Sequence, residues 1–250
     1  MADSTRKRII SIEINTIPYQ RALNNILDLG SRRQSSYVCF SNAHMTIEAH
    51  KSKSFQRMVN QSTYAFADGM PLVFALRWLY GIHQERIAGM DFMGDVLKAS
   101  EEKQLSVFLY GSSPDILESL KLEIKKKYPD LKLAGMISPP FRALSEQENT
   151  AVVDEINSSG ANIVLVGLGC PKQEIWMAQN SSHIRACLLG VGGAFGVHAG
   201  QAKRAPAWMR QVGLEWFYRW LQEPGRLFVR YATTNTLFVY LIVLQFFKKK

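Results

Sequence analysis

The side chains best suited to chemistry in this chain sit where apolar runs end. At 162–174, NIVLVGLGCPKQE, a β-branched run closes on Gly167 and Gly169, and the next turn carries Pro171, Lys172, Gln173 and Glu174. That is the pattern of a buried strand feeding a helix N-terminus. Free N–H groups and the positive dipole end at such a junction suit a diphosphate or nucleotide, and Gln173 and Glu174 are placed to bond a sugar or ribose hydroxyl. The same residues also fit a plain tight turn whose glycines serve close packing. Asp68, followed by Gly69, is the other carboxylate at a strand end and the natural candidate for a general base, with Gly69 expected to permit a tight turn that exposes it. Asp before Gly is equally ordinary turn chemistry. Gly111, followed by Ser113 and Pro114 with N-cap and first-turn character, forms a second candidate phosphate cradle, and Gly192 and Gly193 close a further strand. Asn42 and His44 follow another apolar run; a lone histidine near a helix start is as compatible with structure as with substrate binding.

Other chemistries fit poorly. A dinucleotide fingerprint would need a third glycine where GLGCPK has Lys172, and no acidic residue ends a strand at the usual distance. An NAD enzyme is disfavoured, and no cofactor is expected. No Asp-x-Asp pair occurs to anchor a divalent ion on a diphosphate. Charge on a leaving diphosphate then falls to helix N-termini and arginines such as Arg86, which as a single residue also fits a solvated surface position. Cys39, Cys170 and Cys187 are an odd, widely spaced set, pointing to neither a disulfide framework nor a zinc site and to a reducing compartment.

These loops need a sheet to hold them. Strand patterns fall at 8–14, 37–40, 65–67, 106–110, 131–136, 163–167 and 186–191. Helical periodicity lies between them at about 18–32, 44–60, 71–80, 91–103, 114–127, 145–158 and 171–180. Such alternation predicts an α/β fold, a Rossmann-like and largely parallel sheet with helices on both faces. Ligands of such folds sit at the carboxyl ends of the strands, where the polar and glycine residues collect. With 250 residues, 47% hydrophobic and 20% charged, the chain has apolar surface enough for a full core. The start MADSTRKRIIS lacks an apolar stretch of signal-peptide length, and no run reaches the ~18 apolar residues of a spanning helix, which predicts a cytoplasmic or peripheral protein.

Charge divides the chain in two. Residues 1–202 hold 21 Lys and Arg against 19 Asp and Glu, a net +2, whereas 203–250 hold 9 against 2, a net +7. We therefore expect an α/β domain over 1–202 and a basic, aromatic helical appendage over 203–250. Trp208, Val212, Trp216 and Trp220 recur every four residues, as on one helix stripe, either an arginine-flanked membrane-interface face or an ordinary core face. The segment 237–247, LFVYLIVLQFF before three lysines, is too short to span a bilayer and too apolar to sit easily in water. A membrane surface is the expected partner.

Read as ordered blocks, the chain resembles the WecG/TagA/CpsF family of bacterial glycosyltransferases. The blocks are Asn42, Ala67-Asp68-Gly69, Glu85-Arg86 with Gly89, YPDLK at 128–132, GLGCPKQEIWM at 167–177, GVGGAFGVHAG at 190–200, Arg204-Ala205-Pro206-Ala207-Trp208 and GLEWFYRWLQEPGR at 213–226. The resemblance implies inverting, metal-independent transfer of a sugar from a UDP donor to a polyprenyl-diphosphate-linked acceptor, at the inner face of the cell membrane. It implies Asp68 as base, Asn42, Gln173 and the glycine loops around donor sugar and diphosphate, and Arg219, Arg226 and Arg230 in a C-terminal element that closes over the site. It also suggests homo-oligomers and no nucleic-acid partner. The pattern departs from many relatives at Phe40-Ser41, at Gly196 with His198 nearby, and at 138–141, SPPF, so donor contacts are expected to differ. The reading from another class is a noncatalytic basic module that binds membrane or nucleic acid through its tail.

Overall fold

The computed structural model describes residues 5–202, 204–206, 208–209, 214–222 and 224–249, with the backbone alone at 215, 219, 222, 224, 226–232 and 249. The chain opens with an antiparallel hairpin, β1 (Thr5–Ile9) and β2 (Ile12–Thr16). The apolar run expected as one strand at 8–14 is thus folded back on itself, because Ile10 takes a left-handed φ of 55° and turns the chain. Helix α1 (Tyr19–Ser31) leads into β3 (Ser36–Ser41). The single helix expected over 44–60 is two, α2 (Ala43–Lys51) and α3 (Lys53–Asn60). Ser52 separates them in an extended conformation, ending the first and capping the second by accepting the Phe55 N–H.

Next come β4 (Tyr64–Ala67), α4 (Met70–Tyr80), α5 (Gly89–Glu102), β5 (Ser106–Gly111), α6 (Pro114–Lys127) and β6 (Lys132–Ile137). Helix α7 (Glu146–Ser158) starts in a capping box between Ser145 and Glu148. It is followed by β7 (Ile163–Gly167), α8 (Lys172–Asn180), β8 (Cys187–Gly190) and the short α9 (Ala194–His198). Two helices close the chain, α10 (Glu215–Gln222) and α11 (Pro224–Lys249).

Six strands form one parallel sheet in the order β4-β3-β8-β7-β5-β6, with the hairpin as a separate two-stranded sheet. Strands β3 and β8 are buried along their whole length, as strands covered on both faces must be. Alternation sorts their side chains between two cores. Tyr37, Cys39, Val164, Val166 and Leu188 face the hairpin, α2, α3, α4, α7 and α8. Val38, Phe40, Ile163, Leu165 and Leu189 face α1, α5, α6 and α9.

The end of α11 belongs to the first core. Phe238 and Ile242 are buried in it, Phe246 stacks on Trp78 of α4 with ring centroids 4.6 Å apart, and Gln245 grips the hairpin turn. Its Oε1 accepts the Ile10 N–H at 2.7 Å and its Nε2 donates to the Arg8 carbonyl at 2.8 Å. The apolar segment 237–247 is thus half covered by protein, while Val239, Tyr240 and Phe247 stay exposed. The four-residue tryptophan repeat is not one helix: Leu214 is non-helical, its N–H closes on the Met209 carbonyl at 2.7 Å, and α10 begins only at Glu215. Val212 lies outside the described residues.

Candidate active site

Parallel pairing brings the strand ends into one row. Ser41 stands opposite Ala67, Cys39 opposite Gly190, Val166 opposite Gly190, and Gly111 opposite Gly167. The loops that leave these residues share the carboxyl edge of the sheet, where α/β folds hold ligands.

At one corner of this edge β3 and β4 deliver Asn42 and Asp68. The Asp68 N–H prolongs the ladder by donating to the Ser41 carbonyl at 2.9 Å, so the side chain is held one residue beyond the strand. Asn42 caps α2, its Oδ1 accepting the Met45 N–H at 3.1 Å. The two loops abut: a Cβ built on Gly69 would lie 3.4 Å from Asn42 Cβ, an ordinary contact. Gly69 has a φ of −91°, so neither backbone angle nor space demands glycine there, contrary to the tight turn expected. Asp68 is half-buried and within reach of solvent. The Ile87 N–H bonds the Ala67 carbonyl at 2.9 Å, which sets Arg86 beside the same strand end.

The Gly169 junction is built differently. Gln173 is 4% exposed and its amide is committed on all sides: Oε1 accepts the Gly169 N–H at 3.1 Å, and Nε2 donates to the Gly190 carbonyl at 2.9 Å and to Glu174 Oε1 at 2.7 Å. Glu174 is fully buried and its Oε2 has no hydrogen bond of normal geometry. Burial pushes its carboxyl up to about 7, outweighing the Gln173 amide, the backbone and the Cys170 thiol, which favour the charge. The Gln173 N–H is also taken, by the Gly169 carbonyl at 3.0 Å. The side chains of Gln173 and Glu174, expected from the sequence to reach a ligand, are therefore turned inward, and the Gly169 and Gln173 N–H groups are bonded within the junction, because the first turn of α8 packs against β8. Lys172 alone of this group is exposed.

Glycine is structurally required at two of these strand ends. Gly111 has a φ of 116°, and a Cβ there would meet the Gly167 backbone at 2.7 Å; one on Gly167 would meet the Phe195 ring at 2.7 Å. Gly169 and Gly192 take φ values of 80° and 53°, while Gly193 caps α9 at an ordinary φ of −66°. Ser138 Oγ donates to the Ser112 carbonyl at 2.7 Å, tying the loop after β6 to that after β5. His198 is engaged with the Met90 carbonyl at 2.9 Å and joins α9 to α5.

Arg219 lies in α10, and Arg226 and Arg230 in α11, by backbone; their side chains are outside the described residues. Burial raises the thiols of Cys39 and Cys187, the latter to about 12, which makes them inert core groups. Among the described residues no group of three or more His, Cys, Asp or Glu side chains is placed to hold a metal ion. No helix there is long and apolar enough to cross a membrane. Sequence reasoning missed Asp91, in the first turn of α5, which pairs with both Arg86 and Arg204. Its only sequence signals were its place five residues after Arg86 and at the head of the helix expected from 91, and neither points to Arg204.

A parallel α/β sheet whose polar and glycine loops share one carboxyl edge defines a Rossmann-like fold. The glycosyl transferase WecG/TagA/CpsF family profile matches residues 7–250, and the chain belongs to that family. It is 30% identical over 221 residues to the N-acetylglucosaminyldiphosphoundecaprenol N-acetyl-beta-D-mannosaminyltransferase of Bacillus subtilis (strain 168), an alignment covering 85% of this chain and 84% of that protein. The chain is thus a glycosyltransferase.

Proposed function

We propose that this enzyme moves a hexose of N-acetylmannosamine or glucose type from a UDP donor to a polyprenyl-diphosphate-linked saccharide, with inversion and without metal, in surface-polysaccharide or cell-wall-polymer biosynthesis. The observation that carries this reading is the corner where the Asn42 and Asp68 loops abut and the backbone next to Arg86 bonds the same strand end, in a chain aligned along most of its length with an enzyme whose name specifies such an acceptor.

Asp68 takes the proton of the acceptor hydroxyl as the oxygen attacks the anomeric carbon from the side opposite UDP. The bond from that carbon to the diphosphate oxygen breaks, and UDP leaves with its electron pair. Arg86, together with Arg219, Arg226 and Arg230 from the C-terminal helices, meets the developing charge. The loops of Gly111, Gly167, Gly169, Gly192 and Gly193 form the donor cradle, with Lys172 at its exposed rim, Asn42 at its side, and Gln173 and Glu174 supporting it from beneath.

In the same proposal residues 203–250 act as an appendage that seats the protein peripherally on the inner face of the bacterial membrane. Exposed Phe74 and Trp78 on α4, with Val239, Tyr240 and Phe247 on α11, support this as apolar, mostly aromatic groups left in solvent. Aromatic rings with lysine beside them suit the headgroup layer. Lys248 follows directly in the sequence. Homo-oligomers belong to the reading; nucleic acid does not.

The test is UDP release from a panel of UDP-sugars with a short-chain polyprenyl-diphosphate N-acetylglucosamine acceptor, in EDTA. Acceptor-dependent release from one donor is expected and names the sugar. Failure with every donor in detergent, or a requirement for added divalent ion, overturns the corresponding part.

A further inference from the structure

Two distant stretches of chain meet at the first turn of α5. Asp91 Oδ2 lies 3.3 Å from Arg86 Nη2, and Asp91 Oδ1 lies 2.6 Å from Arg204 Nη1. One carboxylate thus gives one oxygen to each of two guanidinium groups from residues more than a hundred positions apart in sequence. The two arginines are largely covered, Arg86 17% exposed and Arg204 24%, and Asp91 between them is part-buried at 36%. Solvent screening is reduced in such places, and a guanidinium held at one nitrogen is restricted in position while its other nitrogens remain able to donate to an anion.

The cluster is anchored to the catalytic corner by backbone. Arg86 immediately precedes Ile87, whose N–H bonds the carbonyl of Ala67, the residue before Asp68. Gly89, the first residue of α5, packs so closely on Phe40 that a Cβ there would meet its ring at 3.0 Å, and Phe40 lies two residues before Asn42. On the other side His198 holds the Met90 carbonyl, one residue from Asp91, so that α9 and the segment carrying Arg204 are drawn to the same turn.

We propose that Asp91 is a positioning residue for diphosphate recognition: it holds the guanidinium groups of Arg86 and Arg204 as a pair beside Asp68, and Arg204 is a second phosphate ligand. The donor diphosphate, with its closely spaced anionic oxygens, is the group that two paired guanidiniums fit. Asp91 does not touch substrate; it acts through the two arginines. This inference rests on the UDP-sugar reading above.

The experiment measures UDP affinity by calorimetry, kcat and KM for the donor, and thermal stability, for Arg86→Ala, Asp91→Asn, Asp91→Glu, Arg204→Met and the double variant Arg86→Ala/Asp91→Asn. Asp91→Asn and Arg204→Met should each weaken UDP about tenfold, with the donor KM rising in step and kcat falling less. Asp91→Glu should recover part of the loss. In the Arg86→Ala background Asp91→Asn should cost clearly less than alone, the mark of action through a shared partner. If Arg86→Ala weakens UDP while Asp91→Asn lowers only the melting temperature, the cluster is structural and the inference fails while the UDP reading stands. If UDP does not bind the unmodified protein, the UDP reading fails, and this inference with it.

Discussion

The corner at β3 and β4 and the junction at β7 and β8 read alike in sequence, each an apolar run, a glycine and a helix with a carboxylate nearby, yet the fold treats their polar groups in opposite ways. Asp68 is half-buried and reaches the open edge of the sheet. Glu174 is fully buried against β8, with one oxygen lacking a normal hydrogen bond. The difference follows from sheet position. Asp68 lies one residue past β4, the last strand of its sheet, on a loop that stays part-exposed although the hairpin packs along that strand, whereas Glu174 lies in the first turn of α8, which packs on the central strand β8. A carboxylate at the first place stays within reach of solvent. One at the second place is driven towards its neutral form and serves to orient neighbours.

The contrast is sharpest in catalysis. Asp68→Ala should lower kcat by about 10²–10⁴-fold, the usual range for a lost general base, while UDP binding by calorimetry stays within a factor of a few. Retained turnover in that variant would remove Asp68 from the mechanism. Gly111→Ala comes next: its φ of 116° and the 2.7 Å approach to the Gly167 backbone predict a loss of about 3 kcal/mol in denaturant unfolding, combining left-handed strain and overpacking.

Glu174 offers a pH-dependent test of burial. Its carboxyl titrates near 4.5 when unfolded and near 7 in the folded protein, so between these values the folded state keeps a proton that the unfolded chain has released. Stability from this group is complete below pH 4.5 and falls as pH rises to about 7, by about 3 kcal/mol in all. Glu174→Gln should flatten that slope, measured as the difference between variant and parent unfolding free energies at pH 5 and pH 7.5. An unchanged slope would mean that the carboxyl is solvated. The smallest effect is expected at the open corner: Gly69→Ala should change stability by less than about 0.5 kcal/mol, since its backbone angle is ordinary and the new Cβ makes an ordinary contact with Asn42. A large loss there would show that the corner is as tightly packed as the β7 junction.

The sequence by itself determined the parallel α/β layout and the placing of loops at the strand ends. The period of 3.6 in helices and the unbroken apolar strands are local signals, and the helices at 114–127 and 71–80 are found within a residue of where periodicity puts them. The sequence also marked Asp68, Asn42, Arg86 and the 167–174 turn as candidates, because residue types that carry polar chemistry stand out against apolar runs. It misread 8–14 and 44–60, where a single left-handed residue and a single extended serine reverse or split an element without disturbing its hydrophobic pattern. What the tertiary structure alone decided was direction and partnership. It turned Gln173 and Glu174 inward, required glycine at 111 through a contact with a strand 56 residues on by register with Gly167, folded Phe238 and Ile242 of the basic tail into the core, and brought Arg204 to the Asp91 that also holds Arg86. Such pairings depend on which strands lie side by side and which faces they cover, and those are properties of the packed sheet, absent from any short window of sequence.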